Sequence, residues 1–263
     1  MRRAATRLVV LGFAAACVSP ALASAAPTIK VKAKAVAIPG FRGTGNFYGK
    51  GAAVQAELEI KGTEYGGHPA PLIGVNFWLP KGSKINTKGF KTCSKASLEQ
   101  MGPRACRKGS AAGPEGHALG VVELGAERVP EEVKILSYFT PGGLLFYVEG
   151  HSPVSLEFVS AGHWRHLGGG AGFGPELMTE VPLVEPITGA ADASTEKISI
   201  KSGTAMRRGK KVVYYGTVPK KGECKKGHFK GKVEMIFANV SALPARVPGE
   251  TAVASYTTPC PKR

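Results

Sequence analysis

Polar and apolar residues alternate along much of the chain. From Ile29 to Val36, lysines take one set of alternate positions and small or apolar residues take the other. Val54 to Lys61 repeats the pattern with Gln and Glu at the polar positions. Since successive side chains of a strand point to opposite faces, a period of two is typical of strands with one buried face. About a dozen such segments, separated by Gly- and Pro-rich turns, predict an all-β fold: a β-sandwich of short antiparallel strands.

One segment departs from this pattern. Residues Ser94 to Met101 begin at a residue type that caps helices and end before a Gly-Pro pair, which predicts one short helix inside a disulfide loop. We expect residues 26–263 to form one β-sandwich domain. A division of that domain into two lobes near 126–131 is the alternative.

The N-terminus has the features of an export signal. Three arginines precede an apolar run from Leu8 to Val18, and the small residues Ala23 and Ala25 follow. The run is too short to span a bilayer, which takes about 20 helical residues. We therefore predict a signal peptide at 1–25, no transmembrane segment after its removal, and a protein that is secreted or associated with the cell envelope. A lipoprotein attached through Cys17 is the minor alternative.

Four cysteines remain after residues 1–25 are removed: Cys93, Cys106, Cys224 and Cys260. In an exported chain an even number of cysteines predicts disulfides, and four cysteines allow three connectivities. We favour the pairs 93–106 and 224–260, because each falls within one segment. The spacings are not those of a metal site, so we predict no metal and no cofactor.

The charge is concentrated in one stretch. The chain carries 35 Lys and Arg against 19 Asp and Glu, a formal charge of +16, which becomes +13 when the three arginines of 1–25 are removed. Between Lys201 and Lys232 there are eleven basic residues and a single Glu. Such clustering attracts polyanions, so we predict binding to an anionic cell-wall polymer or a membrane surface. The predicted polyanion-binding residues are Lys210, Lys211, Lys220, Lys221, Lys225, Lys226, Lys230 and Lys232.

The types of basic residue in this stretch bear on which polyanion it binds. Lysines outnumber arginines nine to two between Lys201 and Lys232. Lysine is a point charge rather than a planar fork, so we expect no specific nucleic-acid recognition. A solvated rim that only keeps the protein soluble is the alternative reading of the same lysines.

The sequence contains no convincing catalytic motif. His151 lies beside Ser152, but the second Gly of a nucleophile elbow is absent. We interpret the adjacent Glu131 and Glu132 as a solvated pair rather than as glycosidase acids. We therefore predict a non-enzymatic protein.

Two other functions stay open. A secreted hydrolase acting on carbohydrate or ester substrates would need a cleft that gathers His163, His166 or His151 with a Glu. A carbohydrate-binding module would need Trp78 or Trp164 exposed on a flat face, although we expect Trp78 in the core because its strand is apolar throughout.

The cysteines lie in a recurring framework of turns. Residues Phe77 to Gly82 lead through Cys93 to Cys106, and the chain closes with Thr258 to Pro261 around the last cysteine. This framework resembles a group of secreted, β-rich actinobacterial proteins with two local disulfides and no assigned function. The resemblance implies an exported β-rich protein and carries over no catalytic residue.

Overall fold

The computed structural model describes residues 26–166, 172–188, 190–224 and 226–261. The predicted signal peptide with Cys17, and Lys225 of the basic stretch, lie outside the described residues. Within them the chain forms fifteen strands and one short α-helix. The predicted all-β fold with a single short helix is therefore confirmed.

The regular elements follow one another in this order: β1 (Thr28–Val36), β2 (Ala53–Lys61), β3 (Leu72–Trp78), β4 (Lys84–Ile85), α1 (Lys95–Met101), β5 (Gly116–Leu124), β6 (Glu127–Thr140), β7 (Gly143–Gly150), β8 (Leu156–Arg165), β9 (Glu176–Glu180), β10 (Ser194–Ser202), β11 (Ala205–Arg208), β12 (Lys211–Tyr214), β13 (Gly216–Thr217), β14 (His228–Ala238) and β15 (Pro248–Pro259). Three 3₁₀ turns lie at Gly102–Ala105, Lys221–Glu223 and Val240–Ala242.

Eleven of the strands belong to one antiparallel sheet. Its order is β1-β2-β10-β5-β6-β7-β8-β9-β3-β14-β15. The two edge strands lie side by side, since the Thr258 hydroxyl of β15 donates to the Ala33 carbonyl of β1 at 2.9 Å. The sheet therefore folds over on itself, and its two halves face each other across a shared interior, as the layers of a sandwich do.

The sheet is continuous across residues 126–131, where a division into two lobes is the alternative from the sequence. β5 and β6 form a hairpin through Gly125, and their ladder runs from Leu124 opposite Glu127 to Gly116 opposite Ile135. The strands on both sides of 126–131 thus belong to one sheet.

The inward faces carry the largest core cluster. Val233, Met235 and Phe237 of β14 alternate along the strand and are completely buried. They pack with inward residues of β1, β2, β3 and β15, among them Leu58 and Tyr256. Burial of such side chains is the main favourable contribution to folding, about 1.5–3 kcal/mol for each large one.

The helix covers the outer face of β6, β7 and β8. Leu98 of α1 is fully buried against Tyr138, Tyr147 and Val159. The Ser94 hydroxyl accepts a hydrogen bond from the Ser97 N–H at 3.1 Å, which caps the helix N-terminus as the sequence predicts.

Both disulfides have the favoured pairing. Cys93 is bonded to Cys106, with the Cα atoms 5.1 Å apart, and this bond closes the loop that contains α1. Cys224 is bonded to Cys260, with a Cα separation of 6.2 Å, and joins the start of β14 to the end of β15.

Candidate functional site

The antiparallel sheet separates the connections into two sets. Because neighbouring strands run in opposite directions, successive connections of the large sheet alternate between its two ends. The connections 37–52, 79–115 and 203–227 lie at one end, and their sequences carry eighteen Lys and Arg residues against three Glu. We call these three connections the basic cap.

The opposite end has a different charge. Its connections are 62–71, 125–126, 151–155, 181–193 and 239–247. Arg246 is their single Lys or Arg, whereas their acidic residues are Glu64, Glu185 and Asp192. The fold therefore places a strongly cationic end opposite a weakly anionic one.

Backbone hydrogen bonds join the three connections of the basic cap. β4 of the second connection pairs with β13 of the third, with Lys84 opposite Thr217. The Ala52 N–H of the first connection donates to the Gly216 carbonyl at 3.0 Å, and the Asn86 N–H donates to the Tyr215 carbonyl at 2.8 Å. The cap is thus one linked layer rather than three independent loops.

An aromatic cluster lies beneath this layer. The rings of Phe90, Phe139 and Tyr215 pack with centroids 4.6–5.7 Å apart. The Trp164 indole N–H donates to the Tyr215 hydroxyl at 2.5 Å. Burial raises the pKa of Tyr215 well above its ordinary value of 10.0, an effect that the Trp164 hydrogen bond only partly offsets. These aromatic side chains close the interior of the sheet at the cap end.

Most of the predicted lysines lie on the basic cap. Lys210 and Lys211 are exposed where β11 turns into β12. Lys220 and Lys221 are exposed at the adjoining 3₁₀ turn, and Lys226 is exposed before β14.

The last two predicted lysines lie on β14 itself. Lys230 is exposed there. Lys232 is half-buried, with Nζ 3.6 Å from a carboxylate oxygen of Glu234 and 3.8 Å from the centre of the Trp78 ring. Lys232 is therefore engaged with neighbouring side chains, unlike the other lysines of the set that the structure describes.

The basic cap contains more positive charge than the segment from Lys201 to Lys232 alone. The connection 79–115 adds eight Lys and Arg residues against two Glu, and one of those, Glu99, is paired with Lys95 at 3.5 Å. The charge between Lys201 and Lys232 does not reveal this contribution, because 79–115 is far from that stretch in sequence. The signal for it was the absence of acids between Pro80 and Ser97, once the strand directions are known.

The residues of the two other functions are not gathered into a site. His151 follows the end of β7 beside Leu156, whereas His163 lies seven residues further along β8, roughly 23 Å away at the spacing of a strand. Neither of them, nor His166, is ion-paired with a glutamate in the described part of the chain.

Neither tryptophan lies on a flat exposed face. Trp78 is buried under Lys232, as expected from the sequence. Trp164 is half-buried and faces the interior of the sheet.

A second candidate site lies inside the folded sheet. Apolar side chains from eight strands of the large sheet surround a cavity of about 230 Å³. Phe146, Phe158, Ile198 and Ile200 point inward and yet stay only half-buried, because they border this space.

One carboxyl group belongs to the cavity wall. Glu131 occupies the inward position of β6 in register with Val133 and Ile135, and it is 1% exposed. The prediction that Glu131 and Glu132 form a solvated pair is wrong for Glu131. The two alternate across the strand, which buries Glu131 while the side chain of Glu132 stays 76% exposed.

The two carboxyl oxygens of Glu131 differ in their surroundings. The Val154 N–H donates to Oε2 at 3.2 Å. Oε1 has no hydrogen-bond partner among the described residues. It fits over Gly150, where the Cβ of any other residue would overlap it.

A group of polar contacts lies at the end of β6 nearest Glu131. Arg128 donates to the Tyr65 carbonyl, lies over the Tyr65 ring at 4.4 Å and pairs with Glu123 at 3.7 Å. Burial raises the pKa of Asp192 in the same region, and the negative charge of Glu185 raises it further.

Protein-family models, curated proteins and solved structures were searched, and none matches the chain. The resemblance to secreted actinobacterial proteins therefore stays a prediction. The described residues include no group of three or more His, Cys, Asp or Glu placed to hold a metal ion. They also include no helix with the length and apolar character needed to cross a membrane.

Proposed function

We propose that this chain is an exported, non-enzymatic protein that attaches to anionic cell-envelope polymers through its basic cap. The single observation that carries the proposal is the gathering of three hydrogen-bonded connections, with eighteen basic and three acidic residues, at one end of the sheet. A concentrated positive potential of this kind attracts polyanions and weakens with salt.

Export is supported by two features. The chain begins with a basic and apolar segment typical of a signal peptide. Its two disulfides are of the kind that persists in an oxidising compartment.

The composition of the basic cap favours a polymer over the other polyanions. Thirteen of its eighteen basic residues are lysines, which act as point charges and do not read the edges of nucleic-acid bases. Its large exposed apolar side chains are Phe47 and Met101 in the described part of the cap. Membrane attachment takes a wider apolar surface than two separate side chains supply.

The first prediction is that four cap lysines carry much of the attraction. Replacing Lys210, Lys211, Lys220 and Lys221 by Gln removes four exposed positive charges from the basic cap. We expect affinity for polyphosphate at 0.15 M salt to fall at least tenfold, and elution from phosphocellulose to move to lower salt. Isothermal titration and salt-gradient chromatography measure the two effects.

The matched control removes the same charge elsewhere. Lys30, Lys61, Lys134 and Lys197 are exposed strand residues outside the basic cap, and their Gln variants should change the affinity less than twofold. Equal losses in the two variants would show that net charge, not the cap, decides binding. Binding to anionic vesicles or duplex DNA that is tighter than binding to polyphosphate would overturn the choice of a polymer.

A further inference from the structure

The cavity inside the sheet has the character of a ligand site. It is bordered by inward side chains of β2, β3 and β5 to β10, and nearly all of them are apolar. Its volume of about 230 Å³ exceeds that of an engineered 150 Å³ apolar cavity, which stays free of water and admits benzene. The interior therefore has room for an apolar group larger than a single ring.

The wall has one strongly polar point. Glu131 is the only carboxyl-bearing residue that borders the cavity within the described chain, and its Oε1 is buried without a partner. A buried hydrogen-bond acceptor without a donor is unfavourable. The unpaired Oε1 therefore indicates that a bound ligand supplies the donor. Gly150, which lies opposite Val133 on the neighbouring strand, leaves space for the Glu131 carboxyl group.

The position of Glu131 gives the site a direction. It lies near the end of the sheet opposite the basic cap, where the connection 181–193 supplies Pro182, Leu183 and Val184 to the wall. Tyr215 and Trp164 of the aromatic cluster border its other end, under the basic cap. A ligand would thus place its polar head towards Glu131 and its apolar part towards the aromatic side chains.

We propose that the cavity binds a single-chain amphiphile whose head, an amine or a hydroxyl, donates a hydrogen bond to Glu131. Both head groups supply the donor that Oε1 lacks, and the alkyl chain of the ligand packs against the apolar wall of the cavity. A carboxylate head supplies no donor for Oε1. The proposal goes beyond polymer binding and is independent of it, because the two sites are at different places in the fold.

Displacement of a fluorescent apolar dye tests the proposal. The mature full-length chain is saturated with N-phenyl-1-naphthylamine, and decylamine, decanol and decanoate are added at constant salt. We expect decylamine or decanol to displace the dye at a concentration at least tenfold lower than decanoate. The better of the two distinguishes an amine from a hydroxyl head. Decanoate that competes as well as both would overturn the assignment of a donor head.

Variants of adjacent glutamates locate the head group. Glu131→Leu removes the acceptor, and we expect the tenfold preference over decanoate to disappear. Glu131→Gln keeps an oxygen for the Val154 N–H, so it folds even if the Leu variant does not, and it should lower decylamine affinity at least tenfold while decanol binding persists. Glu132→Gln, on the outer face of the same strand, should behave as the wild type. An unchanged preference in both Glu131 variants would overturn the role of Glu131.

A variant that fills the cavity tests whether the alkyl chain of the ligand binds there. Ala118 borders the cavity from β5, and Ala118→Phe places a ring within it. We expect dye binding to weaken at least tenfold while circular dichroism shows an intact β-rich fold. Undiminished dye binding in this folded variant would overturn the cavity as the site.

Discussion

Glu131 and Glu132 show how one position along a strand decides the environment of a carboxyl group. The two are adjacent in sequence, yet one is sealed in the cavity wall and the other is in solvent. The apolar residues Val129, Val133 and Ile135 share the inward positions with Glu131, so the signal was present in the sequence. The proline at 130 obscures this signal, because proline discourages a strand at the positions around it.

The carboxyl group of Asp192 makes the stability of the protein depend on pH. Burial, and then the charge of Glu185, hold its pKa above the ordinary value of 3.8, so the folded state favours the protonated form. A group with a raised folded pKa contributes stability below its unfolded pKa and loses it as the pH rises through the folded pKa. Asp192→Asn, which has no such loss, should therefore raise the melting temperature at pH 7 and leave it nearly unchanged at pH 3. Thermal unfolding at both pH values measures this, and an equal shift at the two would contradict it.

The helix α1 shows why some elements are predictable from local sequence. Its seven residues are too few for stability in water, so it depends on the cap at Ser94, the stop at Gly102 and the bond from Cys93 to Cys106. All of these features are visible in the sequence. The face of the sheet that receives Leu98 is not, because it is formed by β6, β7 and β8.

The packing of α1 gives a prediction at the scale of the element. Leu98→Ala removes a fully buried side chain and should lower the free energy of unfolding by about 2–5 kcal/mol. Met101→Ala, at a half-exposed position of the same helix, should lower it by no more than about 0.5 kcal/mol. Urea unfolding compares the two, and similar losses would mean that α1 does not anchor to the sheet through Leu98.

Strand pairing marks the limit of what the sequence predicts. Alternating residues locate β1, β2 and β14, because their pattern is local. The insertion of β10 between β2 and β5, and of β3 between β9 and β14, joins segments far apart in the chain. No local pattern specifies such partners, so neither the basic cap nor the cavity could be assembled from the sequence.

At the scale of the molecule, strand direction decides which connections meet at each end of the sheet, and so where the positive charge lies. Three connections at one end form the basic cap, whereas the opposite end is weakly acidic and lies beside Glu131. The cavity lies between them, enclosed by the folded sheet. One fold thus carries a cationic outer surface at one end and a largely apolar inner space between its two ends.

Lysine footprinting tests the central claim, that polyanions bind at the basic cap. The mature protein is acetylated briefly with and without saturating polyphosphate, and mass spectrometry reports the modification of each lysine. Protection should be confined to the cap, including Lys81, Lys88, Lys210 and Lys221, with little change at Lys61, Lys134 and Lys197. Protection spread evenly over both sets, or stronger at the strand lysines, would contradict the account.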